Sequence, residues 1–484
     1  MSVRQALLYL IAFAALVVGG APPHAATAPE VTAAVSSGTI TPGGTLTSSQ
    51  PDGSLHAFAD TDALASALVP GSDDRTLVSR HLEVEESIAG QPLTAGNQVQ
   101  LLENGPVTYK AMFAALRNAK HFIHLESYIF DSDDIGKQFA ELLIEKRSEG
   151  LQVAVMVDAV GTIGAKEAMF DQMRAGGVQV AVFHPLNPIG DKQPYSPDMR
   201  DHRKLLVVDD LVGLTGGINV SGVYSSAPFR RHFHEDLVKQ GWRDTQVRLE
   251  GPSVLELDRL FLLNWRAVTG NALPPVALPV STPSTAMLAA GHAAEHAPPV
   301  VSAVVRIIDE NPAAAKGHAL YATLLAQVAA AQQSIDVTMG YFVPDPRFMD
   351  ALIKAAQRGV DVRLLLPSVS DSWIVISAGR AKYQPLLDSG VKIYELSGAL
   401  LHAKTAVIDG VWSTVGSSNM DWRSFGLNKE VNAVIIGPAF GAEMQKQYTL
   451  DLSSSEQITK PAWDDRSVLE KLKERVALVL QRWL

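Results

Sequence analysis

"LHAKTAVIDGVWSTVGSSNMD", residues 401–421, sets His402, Lys404, Asp409, Gly416, Ser417 and Asn419 close together. The same offsets recur 200 positions earlier in "DHRKLLVVDDLVGLTGGINVSG" (201–222), which carries His202, Lys204, Asp209, Gly216 and Asn219. The pattern of "HAKTAVID" predicts a strand, and Asp409-Gly410 predicts a hairpin turn. Side chains alternate along a strand, so His402 and Lys404 share a face. Asp409 takes the opposite face, where it supports the turn or a neighbouring strand. Beyond the turn Ser417 and Asn419 again share a face, and the glycine before them lets backbone approach a ligand. One face thus offers an imidazole, a fixed cation, a hydroxyl and an amide. That set suits a phosphodiester: lysine and amide N–H groups hold the non-bridging oxygens, and imidazole attacks phosphorus or shuttles a proton. One copy supplies one histidine. Displacement through a covalent intermediate needs a nucleophile and an acid on the leaving oxygen. Two copies meeting about a pseudo-two-fold axis supply both.

The flanking sequence has the same twofold order. Helical patterns at 107–120 and 134–149 alternate with strand patterns at 121–130, 151–158 and 178–184. A second series follows: helix 316–332, strand 334–342, helix 348–358, strand 360–367, helix 374–389 and strand 391–396. The fold class is therefore α/β, as two duplicated halves, each a mixed sheet flanked by helices. Five segments are expected. Residues 1–28 form a signal peptide or N-terminal anchor, and 29–95 a low-complexity linker and N-terminal extension. The first half spans 96–270, an Ala/Pro-rich connector 271–303, and the second half 304–484, ending in an amphipathic helix.

Composition narrows the chemistry. A chain of 484 residues with 47% hydrophobic content can bury more than one core. A formal net charge of −10, with no Lys/Arg run, argues against a nucleic-acid partner. The absence of cysteine excludes disulfides, thiolate metal sites and cysteine nucleophiles. Arg4, then an apolar run from Ala6 to Val18, then small residues and prolines follow the order of a secretory signal. The uncharged stretch to Pro23 also reaches the lower limit for a retained membrane anchor. Either way the catalytic part is expected outside the cytoplasm, periplasmic or membrane-anchored.

The doubled signature, H-x-K, four residues, D, six residues, then G-[SG]-x-N, resembles that of the phospholipase D superfamily. Both copies match it at every position, Gly217 standing where the second copy has Ser417. "GYFVPD", "GVDVRLLLPSVSD" and "LNKEVNA" extend the similarity to bacterial cardiolipin synthases over roughly residues 80–484. The resemblance implies His202 as nucleophile and His402 as general acid and then base. Lys204 and Lys404, with Asn219, Asn419 and, more marginally, Ser417, are implied to hold the phosphate. Asp209 and Asp409 complete the catalytic signature. Each histidine takes a carboxylate that fixes its tautomer: Glu430 for the second copy, and Asp244 for the first, with Glu235 and Asp236 close by. No cofactor or metal is expected, because the lysines supply the positive charge. The implied activity transfers a phosphatidyl group between two phosphatidylglycerol molecules, releasing glycerol, at a membrane surface and with a monomeric enzyme. Hydrolysis to phosphatidic acid by a secreted phospholipase D is the alternative, followed by a superfamily nuclease or an inactive lipid-binding protein.

Three further features lie outside the signature. Glu126, in the apolar strand "LESYIF", reads as a buried, satisfied structural group. His292 and His296 in the connector have no rigid frame or carboxylate set to make them a metal site. The C-terminal "RSVLEKLKERVALVLQRWL" carries five basic and two acidic residues. It packs on the domain or lies on a membrane surface.

Overall fold

The computed structural model describes residues 46–49, 55–58, 61–69, 74–88, 91–185, 198–225, 241–278, 299–312 and 318–480. The suspected signal or anchor, most of the connector with His292 and His296, and Glu235 and Asp236 lie outside them. Among the described residues no helix is long and apolar enough to cross a membrane.

One mixed sheet runs through both halves. In the first half its strands are β1 (Thr94–Glu103), β2 (Phe122–Ser127), β3 (Gln152–Asp158), β4 (Gln179–Phe183), β5 (Lys204–Val208), β6 (Val212–Gly216) and β7 (Thr245–Glu250). In the second they are β8 (Val300–Glu310), β9 (Ser334–Met339), β10 (Asp361–Pro367), β11 (Lys392–Leu396), β12 (Lys404–Ile408), β13 (Trp412–Gly416) and β14 (Glu430–Ile436). The first half has the order β4-β3-β2-β5-β6-β7-β1. The second has β8-β14-β13-β12-β9-β10-β11, the same order reflected. The two join where β1 and β8 pair antiparallel. The sequence duplication is therefore a structural one, and an antiparallel seam is what a two-fold relation requires.

β2, β3 and β4 are parallel, as are β9, β10 and β11. Such strands need covering on both faces, which explains their near-continuous apolar runs. Each half has its own apolar core, and a third core joins them. The joining core takes Val207, Val247 and Leu249 from the first half and Val305, Val407, Val415 and Val431 from the second. At roughly 1.5–3 kcal/mol per buried aliphatic side chain, it fixes the halves relative to one another.

Two helices differ from expectation. The run expected at 374–389 is broken into α1 (Trp373–Arg380) and a short helix Tyr383–Asp388. Pro385 has no N–H to give to Ala381, so the helix cannot pass through; Pro385 instead sits in the first turn of the second helix. The segment 29–95, expected as linker and extension, contains a helix at Arg75–Ser87 that is built into the second half. Its His81 bonds Gln327 and Asp409, and its Glu85 receives Arg306 and Trp412.

Candidate active site

β5-β6 and β12-β13 are the two hairpins that carry the signature. Their turns run through left-handed residues: Asp209 and Asp210 at φ 55° and 56°, Asp409 and Gly410 at 53° and 66°. Asp and Gly are the types that tolerate this conformation in a tight hairpin. Asp209 accepts backbone N–H groups from Lys120, His121 and Phe122, at 2.7, 2.8 and 2.7 Å. Asp409 does the same for Gln332, Gln333 and Ser334, at 2.9, 2.7 and 3.0 Å, and adds His81 Nε2 at 3.1 Å. These carboxylates tie each hairpin to the start of the neighbouring strand. They lie at the far end of β5 and β12, about 16 Å of strand from Lys204 and Lys404. The catalytic grouping of Asp209 and Asp409 is thus corrected to an anchoring one, as strand parity alone required.

At the other end the two copies meet. His202 Nδ1 lies 3.0 and 2.9 Å from the two oxygens of Glu430. His402 Nδ1 lies 2.7 Å from Asp244 Oδ2. The expected pairing, each histidine with the carboxylate of its own copy, is thus exchanged. The backbone shows why. The His202 N–H donates to the carbonyl of Lys429, next to Glu430, at 2.9 Å. The His402 N–H donates to the carbonyl of Arg243, next to Asp244, at 2.8 Å. Each histidine segment docks on the carboxylate segment of the opposite half. The basic residues at those docking points are themselves buried and paired: Lys429 Nζ donates to Asn264 Oδ1 at 2.6 Å, and Arg243 is bidentate on Asp451.

With Nδ1–H directed at a carboxylate, the lone pair of each imidazole is on Nε2. Among the described residues, no protein group bonds either Nε2. Lys204 and Lys404 are 1% exposed, and each donates to the carbonyl of its own histidine. Burial pulls their ammonium groups down to about 7 and about 8, against Glu430 and Asp244, which support the charge. Burial also lowers His202, with the lysines adding to the effect and Glu430 opposing it. His402 falls to about 4, through burial first and then Lys404. Burial alone would raise Glu430, but the adjoining His202, Lys204 and Ser417 hold it below the usual carboxylate range. The site therefore disfavours charge on both imidazoles and sets them among buried cations and anions, a setting that takes a phosphodiester anion and offers it an imidazole nitrogen.

The polar residues around this centre are not equivalent. Ser417, 0% exposed, donates its hydroxyl to Glu430 Oε2 at 2.6 Å, so the expected phosphate contact is corrected to support of a carboxylate. Gly217 holds the matching position because a Cβ there would come within 2.1 Å of Asp244 Oδ1. Asn219 accepts from the N–H of Ile129 at 3.0 Å and donates to Tyr224 at 3.0 Å, leaving one amide hydrogen for a ligand. Among the described residues, the buried carbonyl oxygen of Asn419 has no partner.

Sequence reasoning missed Tyr224 and Ser424. The Tyr224 hydroxyl is 3.3 Å from His402 Nδ1. The Ser424 hydroxyl donates to Glu430 Oε1 at 2.9 Å. Both stand five residues after the signature asparagine, at the same 200-residue offset, and that repeat was the available signal. Tyr128 and Trp242 pack against the two imidazoles, with ring centroids 4.9 and 5.1 Å away. Glu126 is buried; Asn264 bonds both it and Asp201, and burial, then Asp201, push its carboxyl well up. Its side chain also hydrogen-bonds Asp201, in line with a buried structural role.

A family model described as cardiolipin synthase, PLD-like domain, matches residues 112–226 and 324–452, one stretch in each half. A cardiolipin synthase of Geobacillus kaustophilus is 33% identical over 404 residues, covering 82% of this chain and 75% of its own. Cardiolipin synthase A of Pseudomonas syringae pv. syringae is 31% identical over 404 residues, covering 82% and 78%. The crystal structure of phosphatidylserine synthase from Haemophilus influenzae Rd KW20 has the same fold: TM-score 0.59 at 14% identity, over 84% of this chain and 100% of that one.

Proposed function

The chain belongs to the phospholipase D-like family of cardiolipin synthases, and from that premise we propose that it joins two phosphatidylglycerol molecules into cardiolipin, releasing glycerol. His202 Nε2 attacks phosphorus, and the bond from phosphorus to the glycerol oxygen breaks. His402, as imidazolium, gives that oxygen its proton. A second phosphatidylglycerol then presents a glycerol hydroxyl. His402 takes the hydroxyl proton, the oxygen attacks phosphorus, and the bond to His202 breaks. Lys204, Lys404 and the free amide hydrogen of Asn219 hold the non-bridging oxygens.

The observation that carries this reading is the exchanged pairing of His202 with Glu430 and His402 with Asp244. It puts two oriented imidazoles in one site, as a two-step transfer needs. The assignment of roles rests on how the carboxylates are loaded. Glu430 is shared among His202 and two serine hydroxyls. Asp244 accepts from His402 and the N–H of Thr245. A less shared carboxylate better supports an imidazolium, which suits His402 to the acid role. Its ordinary tendency here is to stay neutral; a phosphodiester anion beside Lys404 opposes that tendency.

The apolar segment from Ala6 to Pro23 supports placing the reaction outside the cytoplasm. Incubation with phosphatidylglycerol vesicles, with products resolved by mass, tests the activity. Cardiolipin with glycerol is the expected outcome. Phosphatidic acid with glycerol would make the protein a hydrolase, and no turnover would reject the reading.

A further inference from the structure

The C-terminal helix α2 (Val468–Leu480) packs against α1 and turns an apolar stripe to the outside. Leu469, Leu472, Val476 and Val479 are 62, 55, 45 and 73% exposed, at spacings of three, four and three residues that align them along one face. On a folded domain this stripe should face a core; here only Ala477 is fully buried. The charges of the helix are sorted as well. Its acids are engaged locally: Glu474 with Arg466, and Glu470 with the N–H and hydroxyl of Ser467. Lys473 and Arg475 border the stripe, and among the described residues neither forms an ion pair. An exposed aliphatic stripe bordered by unpaired cations is complementary to an interface of acyl chains beneath anionic headgroups.

The helix on which α2 packs begins close to residues that act on the site. α1 is eight residues, about 12 Å long, and begins at Trp373, which is 56% exposed. Two residues before it, Asp371 accepts from the Tyr341 hydroxyl and acts electrostatically on Lys404. Asp421 acts on Lys404 too, and is followed by Trp422, 44% exposed. Indole rings at the rim of a site, with an apolar helix alongside, form the kind of surface that settles at the headgroup level of a bilayer.

We propose that α2 is the docking surface by which the folded domain lies on an anionic bilayer, its apolar stripe inserted below the headgroups and Trp373 and Trp422 at the interface beside the site mouth. The proposal rests on the reading of a phospholipid substrate, since it explains how the site meets lipid without extracting it. It requires no spanning segment, only one apolar face.

The absence of cysteine makes a local test direct. Leu472→Cys in the full chain is labelled with an environment-sensitive fluorophore, and phosphatidylglycerol vesicles are added. Emission should shift to the blue and be quenched by lipids brominated in the acyl chain. Lys137→Cys, on an exposed helix of the first half, should not respond. Adding Lys473→Glu and Arg475→Glu to the labelled protein should raise the lipid concentration at half-change by roughly tenfold or more, because near an anionic surface each cation counts. No change at position 472 would overturn the proposal. So would a blue shift that grows with protein concentration before any lipid is added, which would put a second copy on the stripe. The reading is independent of turnover, so loss of cardiolipin formation would reject the proposed function without deciding this point.

Discussion

The two halves share a strand order and a signature, yet they hold their shared chemistry differently. The second half lends its partner a glutamate shared by Ser417, Ser424 and His202. The first half lends an aspartate with fewer donors, beside Tyr224. Gly217 stands where the second half has Ser417, because Asp244 leaves no room for a Cβ. Even the structural aspartates differ, since Asp409 has His81 behind it and Asp209, among the described residues, takes backbone donors alone. The lesson is that a duplication supplies two equal histidines, and unequal surroundings are the basis on which we propose different roles for them.

The largest expected effects break the symmetry outright. His202→Ala and His402→Ala should each lower turnover by about three to six orders of magnitude while the chain stays folded. Steady-state rates with circular dichroism check this; near-normal turnover in either variant would dismiss the two-histidine site. Next come the carboxylates. Glu430→Gln and Asp244→Asn should each cost about 10²–10⁴-fold, because the amide reverses the donor that orients the ring. If Glu430 works through His202, adding Glu430→Gln to His202→Ala should cost nothing more. The reverse pattern, with Glu430→Gln silent only on top of His402→Ala, would restore same-half pairing.

Gly217→Ala sharpens the comparison further. The new Cβ must push Asp244 off His402, so activity should fall about tenfold to a hundredfold. Ser417→Ala, which only removes a donor to Glu430, should lose less, about tenfold at most, and cost about 1–3 kcal/mol of stability. Kinetics and thermal melts of the two variants measure the contrast. Equal losses would mean that the halves are interchangeable.

The last effect is on stability against pH. The folded state holds His402 at about 4, below its ordinary 6.5. The unfolded chain therefore binds a proton that the folded chain refuses as pH falls from 6.5 to about 4. This stabilisation is present above 6.5 and is lost through that window. Replacing His402 with Ala should flatten the acid side of the melting curve relative to the native chain, by about 3 kcal/mol. Parallel curves would show that His402 titrates normally.

Much of this was legible in the sequence. A 200-residue repeat of histidine, lysine, aspartate and asparagine points to the candidate site, and strand parity places Asp409 away from it. Alternating periods gave the order of strands and helices. The exchange of Glu430 and Asp244 was not legible, because it depends on which half each histidine segment docks against, a contact without local periodicity. For the same reason the helix carrying His81 is hidden beside the linker in sequence, since its partner Asp409 lies 328 residues away. Ser417 looked like a phosphate ligand because parity gives a face but does not say what already occupies it.

The central claim is the division of labour between the histidines. A phosphatidyl donor with a nitrophenol leaving group removes most of the need for an acid. With that donor, His402→Ala should release about one nitrophenol per enzyme and then stall, because the second step needs a base. Mass spectrometry of the stalled protein should find the phosphatidyl group on His202, and His202→Ala should give no burst. An adduct on His402, formed in His202→Ala and not in His402→Ala, would contradict the account and reverse the roles.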